Sequence, residues 1–191
     1  MRMPWLIGIL IAAVALAAFF AWRTWFETYH LVTVKDGVLY RDGVRTEREF
    51  ENTVRRVKPK SIVRLIDSEE AQKEPFVSEA AYCKANNIEI IPIPIKLGGW
   101  PSSEQVRQFV AIVQDPTKQP VLVHCAQGVR RTGMMVAAYE RAVMGKDVKE
   151  IADTMPTFGH SQRTVKDVQK FIDVYDPKTG AVPEAMPVGQ E

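Results

Sequence analysis

Residues 120–133 (PVLVHCAQGVRRTG) constrain this chain more than any other stretch. Val121, Leu122 and Val123 lead without interruption to His124 and Cys125, an apolar run that fits a strand covered on both faces. Gly128, three positions after the cysteine, permits the backbone torsions of a tight loop. A helical pattern follows, over residues 132–143. In a strand–loop–helix of this kind the loop N–H groups converge on the helix N-terminus and form an anion cradle. The same field favours thiolate over thiol and lowers a cysteine pKa from about 8.5 to roughly 3.5–7.5. Arg131, six positions after Cys125, can return to grip two phosphate oxygens with its planar fork. Thr132 places a hydroxyl near the sulfur, where it can stabilise a departing thiolate. These are the parts needed to attack a phosphoester with sulfur and hold the charge that develops. The expected phosphate-binding set is Ala126, Gln127, Gly128, Val129, Arg130 and Arg131.

The rest of the chain reads as strands alternating with helices. Residues 31–34 and 38–40 flank Asp36-Gly37 and suggest a hairpin. Thr46-x-x-Glu49 is a capping box for a helix that ends before Pro59. Residues 61–66 read as a strand, 76–86 as a helix and 88–95 as a strand whose prolines mark an exposed end. Ser102 or Ser103 caps a helix to about residue 114, Asp147-x-x-Glu150 caps another, and residues 161–175 form a last one. The expected fold class is therefore α/β, with a mainly parallel central sheet flanked by helices. From Asp176 onward proline and glycine recur without hydrophobic pattern, so residues 177–191 are expected to be a flexible tail.

Residues 4–22 (PWLIGILIAAVALAAFFAW) carry no charge and are apolar on every face. A helix rising about 1.5 Å per residue just spans a hydrocarbon core of about 30 Å over that length. Trp5, Trp22 and Trp25 stand near its ends, where indoles prefer the interface. Residues 1–26 are thus expected to be an N-terminal transmembrane helix and single-pass anchor. A signal peptide is the rival, since Ala15-Leu16-Ala17 offers a small-x-small site. The short tail before the span leans toward a non-cytoplasmic placement of residues 27–176, although Arg2 and Arg23 nearly balance. The 25 Lys and Arg against 23 Asp and Glu leave a net charge of +2, which gives no global field for nucleic acid. Two cysteines exclude a disulfide-rich scaffold and a four-thiolate zinc site. Cys83, beside Ala80 and Ala81, reads as a core residue, while His30 and His160 read as solvated or loop histidines.

His124, Cys125, Arg131 and Thr132 match the signature His-Cys-x5-Arg-Ser/Thr. On these residues the chain resembles the cysteine-dependent protein tyrosine phosphatase superfamily. The compact loop before the motif resembles the dual-specificity branch and its atypical bacterial and fungal members. Residues 37–43 (GVLYRDG) are similar to a Tyr-Arg-Ser-Gly segment of those members, with Asp42 in place of serine. The likeness extends from about residue 31 to 175. It implies a phosphomonoester hydrolase in which Cys125 forms a phosphocysteine that water then releases. Arg131 is implied to bind phosphate, Thr132 to assist the second step and His124 to orient the cysteine. No metal or cofactor is implied. The implied partner is a phosphorylated protein, on tyrosine, serine or threonine, or another phosphomonoester.

One part of that pattern is absent. The branch places an aspartate acid after the preceding strand, where this chain reads IPIKLGGWPSSE over residues 93–104. Ser102 stands where a Trp-Pro-Asp loop would carry its acid, and Arg130 where some relatives carry an aspartate. Glu104 and Asp67 are the carboxylate candidates, both at or beyond strand ends that face the loop. Losing a general acid costs roughly 10²–10⁴-fold. Three alternatives therefore stay open. One is a membrane-tethered phosphate-binding pseudophosphatase. Another is a phosphoinositide or inositol phosphate phosphatase that uses Arg130, Arg131 and Lys96. The third is a rhodanese-like sulfur transferase.

Overall fold

The computed structural model describes residues 4–160 and 162–183. In chain order the elements are α1 (Pro4–Phe26), β1 (Val32–Lys35), β2 (Leu39–Gly43), α2 (Glu47–Val57), β3 (Ser61–Arg64), a 3-10 turn (Glu70–Gln72) and α3 (Phe76–Ala85). Then follow β4 (Glu89–Pro92), α4 (Ser103–Gln114), β5 (Val121–Cys125), α5 (Arg130–Ala142), α6 (Val148–Thr154) and α7 (Gln162–Val174).

The five strands lie in the order β1-β2-β5-β3-β4. β1 and β2 are antiparallel, joined through Asp36-Gly37 with Gly37 at φ +69°, while β2–β5, β5–β3 and β3–β4 are parallel. The sheet is therefore mixed, with one antiparallel edge on an otherwise parallel core. β5 is central and all five of its residues are buried, which is why its apolar run is unbroken. β4 is shorter than its sequence suggests. Pro92 and Pro94 have no N–H to donate, yet Ile93 and Ile95 still bond the carbonyls of Arg64 and Leu65 beyond the strand.

The helices start where their caps indicate. The side chains of Thr46, Ser102 and Asp147 accept the N–H of Glu49, Gln105 and Glu150, and Ser102 with Gln105 completes a capping box. α5 begins at Arg130, two residues before its expected start. α2 and α3 pack together on one side of the sheet, and α5 contacts α4, α6 and α7 on the other.

Among the described residues one helix is long and apolar enough to cross a membrane, over Gly8–Phe26, a property a signal sequence shares. Its C-terminal end meets α2. Asn52 Nδ2 donates to the carbonyls of Thr24 (3.2 Å) and Glu27 (2.7 Å), and the Arg55 guanidinium lies 5.4 Å from the Trp25 ring.

The expectation of a loose tail from residue 177 does not hold through residue 183. Asp176 pairs with Ala181, and Val182 is 9% exposed. The Ser103 hydroxyl donates to the Val182 carbonyl (3.1 Å) and accepts its N–H (2.8 Å). The first turn of α4 thus holds the segment after α7. Residues 184–191 lie outside the described residues.

Candidate active site

The loop after β5 is shaped by β2. Gly128 has φ +69°, a region that a side chain disfavours. A Cβ there would stand 2.3 Å from the Asp42 carbonyl oxygen, so the strand leaves room for glycine alone. Val44 N–H bonds the Ala126 carbonyl at 3.0 Å, and Gly43 packs against the Gln127 backbone so closely that a Cβ would come within 2.7 Å. The buried Arg41 donates to the carbonyls of Gly128 (2.6 Å) and Val129 (3.4 Å). With those carbonyls drawn toward β2, the loop N–H groups are free to turn the other way. Gly128 N–H does so and meets Cys125 Sγ at 3.2 Å. Val129, the N-cap of α5, supplies no side-chain cap, which leaves the first amides of that helix open to an anion.

Cys125 is 3% exposed. Burial alone would push its thiol up. The Arg131 guanidinium, the Thr132 hydroxyl and N–H, and the Gly128 N–H outweigh burial and hold it below its ordinary value. The Thr132 hydroxyl is buried and has no other partner. Arg131 is 4% exposed. Its Nη2 donates to Glu70 Oε1 (2.8 Å), and its Nη1 donates to Glu70 Oε2 and to the Ile95 carbonyl (3.1 Å). Burial opposes its charge, but Glu70 and Cys125 keep it strongly cationic. The loop thus brings Cys125, Gly128, Arg131 and Thr132 together around one small volume.

Arg130 departs from expectation. Its Nε donates to Asp167 (2.9 Å) and its terminal nitrogens to the carbonyls of Gly99 and Gly98 (both 2.8 Å). That side chain ties α5 to α7 and to the loop after β4, and is not available as a phosphate ligand. Adjacent helical residues point about 100° apart, which sends Arg130 outward and Arg131 inward.

The two acid candidates also fare differently. Glu104 binds Arg107 on its own helix at 3.0 Å with a side chain 80% exposed, and no hydrogen bond or ion pair connects it to the loop. The structure gives it no place beside Cys125. Asp67 lies nearer, at the start of the turn that carries Glu70. Its carboxylate accepts the N–H of Glu70 (2.9 Å) and Glu69 (3.0 Å), and bonds from those amides and from Leu97 hold it below the ordinary carboxylate range. Glu70 is held down first by Arg131. Both carboxylates are therefore engaged, Asp67 by the amides of its own turn and Glu70 by Arg131.

His124 points away from the loop, on the side of the sheet covered by α2 and α3. Its Nε2 lies 3.0 Å from Glu79 Oε1, and both side chains are fully buried. The carboxylate can only accept, so Nε2 carries the proton. Cys83 is buried with its thiol pushed up to about 12 by burial, the behaviour of a core residue. His30 is not simply solvated. Its Nδ1 meets the Gln127 carbonyl at 2.7 Å, and its ring stacks between Tyr29 and Phe158. His160 meets His30 edge to face at 5.5 Å between ring centroids. Sequence reasoning missed Glu70, Glu79 and Arg41. The acidic run 67–70 was the one signal for Glu70, and it did not distinguish among its members.

Residues 34–174 match the family model described as a dual-specificity-type protein tyrosine phosphatase domain fused to NAD+ kinase. The chain belongs to this family. It is 39% identical over 64 residues to the chloroplastic NAD kinase 2 of Arabidopsis thaliana, a match that takes in 34% of this chain and 6% of that protein. It is 27% identical over 144 residues to the inositol diphosphatase SIW14 of Saccharomyces cerevisiae, over 73% of this chain and 49% of the yeast protein. The chain thus spans a small part of the plant kinase and about half of the yeast phosphatase. The solved SIW14 catalytic core superposes with a TM-score of 0.65 at 25% identity, covering 78% of this chain and 87% of that one. TpbA of P. aeruginosa shares the fold, with a TM-score of 0.64 at 19% identity over 82% and 94% of the two chains. The family model and the SIW14 match place residues 34–174 in a family of phosphatase-type domains. The mixed sheet flanked by helices is the family's dual-specificity-like fold.

Proposed function

We propose that this family member is a cysteine-dependent phosphatase that cleaves phosphoanhydrides of densely phosphorylated small molecules, of the inositol diphosphate kind. The observation that carries the reading is the state of the carboxylates at the site. Asp67 accepts the N–H groups of its own turn and Glu70 is paired with Arg131, so neither stands free to protonate a leaving oxygen. A substrate then needs a leaving group that departs unaided. A tyrosine phenolate carries a pKa of about 10 and a phosphate dianion one of about 6. The second leaves as an anion at neutral pH.

The steps follow from the loop. The Cys125 thiolate attacks the terminal phosphorus, an S–P bond forms, and the bridging P–O bond breaks with its electron pair on the departing phosphate. The Gly128 N–H, the following amides of α5 and Arg131 hold the equatorial oxygens as charge develops. Water then attacks the phosphocysteine, the S–P bond breaks and inorganic phosphate leaves. The Thr132 hydroxyl stabilises the returning thiolate. The two relatives named inositol diphosphatases, from yeast and from Arabidopsis thaliana, support the same substrate class. Lys96, exposed next to the Ile95 whose carbonyl binds Arg131, adds a cation at the loop after β4.

The test is phosphate release by the full chain in detergent from an inositol diphosphate, a phosphotyrosine peptide and an inositol monophosphate. The diphosphate should be turned over at least tenfold faster, in kcat/KM, than either ester, and Cys125→Ser should abolish all three. Preference for the phosphotyrosine peptide would overturn the substrate class. Full activity of Cys125→Ser would overturn the mechanism. α1 is proposed as a membrane anchor, so the chain should stay with membranes after an alkaline carbonate wash. A mature protein shortened past residue 17 would make it a cleaved leader instead.

A further inference from the structure

The outward carbonyls of the loop after β5 are held one by one. The Ala126 carbonyl accepts the Val44 N–H (3.0 Å), and the carbonyls of Gly128 and Val129 accept Arg41 (2.6 and 3.4 Å). β2 and the residue after it therefore serve the loop on both sides of Gln127. The Gln127 carbonyl itself has no backbone donor among the described residues. Its partner comes from the segment between α1 and β1, as His30 Nδ1 at 2.7 Å. A carbonyl can only accept, so Nδ1 carries the proton.

The imidazole is firmly seated. His30 lies at φ +64° and Phe158, in the loop after α6, at φ +51°, a region that non-glycine residues seldom occupy. Their rings stack at 4.2 Å between centroids and 12° between planes, and Tyr29 covers the other face of the imidazole at 3.9 Å. Tyr29 is fixed in turn. Its carbonyl accepts the Gly43 N–H (2.9 Å), its ring fills the space where a Cβ on Gly43 would come within 2.8 Å, and the Arg45 guanidinium lies 4.6 Å from that ring. On the far side, the guanidinium of Arg41 lies 5.6 Å from the Phe158 ring while it holds the next two loop carbonyls. Left-handed backbone at two residues, brought together around one ring, points to the bond which that ring makes.

We infer that His30 is a positioning residue for the phosphate-binding loop, holding the Gln127–Gly128 peptide so that its N–H faces Cys125. That peptide is trans, so its C=O and N–H point to opposite sides of the chain. One end meets His30 at 2.7 Å and the other meets Cys125 Sγ at 3.2 Å. A donor on the oxygen fixes the plane and polarises the N–H, which strengthens what the amide offers to a thiolate or a phosphoryl oxygen. Burial, with the charges of His160, Arg45 and Arg41, keeps the His30 pKa below its ordinary value against the pull of the Gln127 carbonyl. Nδ1 keeps its proton in either charge state, so the bond does not switch with pH. His30 stands four residues after Phe26, the last of α1, so the segment leaving that helix is part of the loop's frame.

The inference rests on the reading of Cys125 as nucleophile, and alkylation separates the two, because it reports the thiol without substrate. His30→Phe keeps an aromatic ring between Tyr29 and Phe158 and loses the donor. His30→Asn loses the ring, suits a positive φ and places an Nδ2–H where the Nδ1–H stood. Neither carries a charge, so loss of the imidazole's field moves both alike and loss of the bond moves only His30→Phe. The full chain in detergent is treated with iodoacetamide from about pH 5 to pH 9, and the Cys125 peptide is followed by mass spectrometry. The acid limb should sit about half a unit higher in His30→Phe than in His30→Asn, so that alkylation at its lower end is roughly threefold slower. The kcat for phosphate release should fall in the same order, and the Gly128 amide proton should shift upfield in His30→Phe alone. Limbs that superpose in the two variants, or a higher limb in His30→Asn, overturn the inference. If His30→Phe does not fold, His30→Leu takes its place under the same criteria. A limb that shifts as expected in a chain that hydrolyses nothing would sustain this inference and sink the proposed function, and hydrolysis with superposed limbs would do the reverse.

Discussion

Gly128→Ala perturbs one methyl group where the loop crosses β2. Its φ of +69° costs an alanine about 1–2 kcal/mol. The new Cβ would lie 2.3 Å from the Asp42 carbonyl oxygen, 2.5 Å from its carbon and 2.7 Å from the Gly43 nitrogen. All three are backbone atoms of a paired strand, so the loop must lift rather than a side chain rotate. Lifting it breaks the 2.6 Å buried bond from Arg41 to the Gly128 carbonyl, a charge-assisted contact worth about 1.5–3 kcal/mol. The total is about 2.5–5 kcal/mol of stability. The same movement withdraws the Gly128 N–H from Sγ, so the thiolate loses a donor and the cradle its shape. Urea unfolding of the full chain should show the destabilisation. Phosphate release should fall at least a hundredfold, and Cys125 alkylation should need a higher pH. Stability within about 0.5 kcal/mol of the parent, with activity within twofold, would refute the claim that β2 sets the loop.

Arg131→Lys should lose at least a hundredfold in kcat/KM for any substrate, because an ammonium cannot hold Glu70 and a phosphate with one planar fork; near-parental turnover refutes this. Asp67→Asn and Glu104→Gln should each change hydrolysis of an aryl phosphate by less than tenfold, whereas loss of a true general acid costs roughly 10²–10⁴ and would show as such. Asp42 is pushed from 3.8 up to about 7 by burial, so it contributes stability that is fully present below 3.8 and lost as pH rises through about 7. Asp42→Asn should therefore gain on the parent by a growing margin of urea midpoint across that window and by a constant one above it, and a flat difference would refute the assignment.

The parts of the site carried by neighbouring residues were legible in the sequence. An apolar strand, a glycine and an arginine within a dozen positions define the cradle, because the chain there only has to turn once. Thr46, Ser102 and Asp147 were legible as helix starts for the same local reason. What was not legible depends on distance along the chain. Glu70 is 61 residues from Arg131, and Glu79 is 45 from His124. In each case an acidic residue on an unremarkable stretch is selected only by where β3 and α3 come to rest. Val182 on Ser103, 79 residues apart, is another such pairing, and a tail without periodicity held no sign of it. Arg130 misled for a different reason: it has the right chemistry at the wrong helical angle.

Two halves of the site are built by one alternation. Successive residues of β5 face opposite sides of the sheet, so His124 falls among buried carboxylates while Cys125 falls at the mouth of the cradle. The strands on either side repeat the division. β2 sends Arg41 to hold the loop carbonyls and Asp42 to stand beside His124; β3 ends in Arg64 on the histidine side. A cradle assembled this way has its cations and amides in place before any ligand arrives, with Glu70 steadying Arg131 from outside. Among the described residues both carboxylates near the loop are already engaged, Asp67 by amides and Glu70 by Arg131. On the proposed function, the arrangement binds and attacks phosphorus and offers little to protonate oxygen. A phosphoanhydride asks for the first and not for the second.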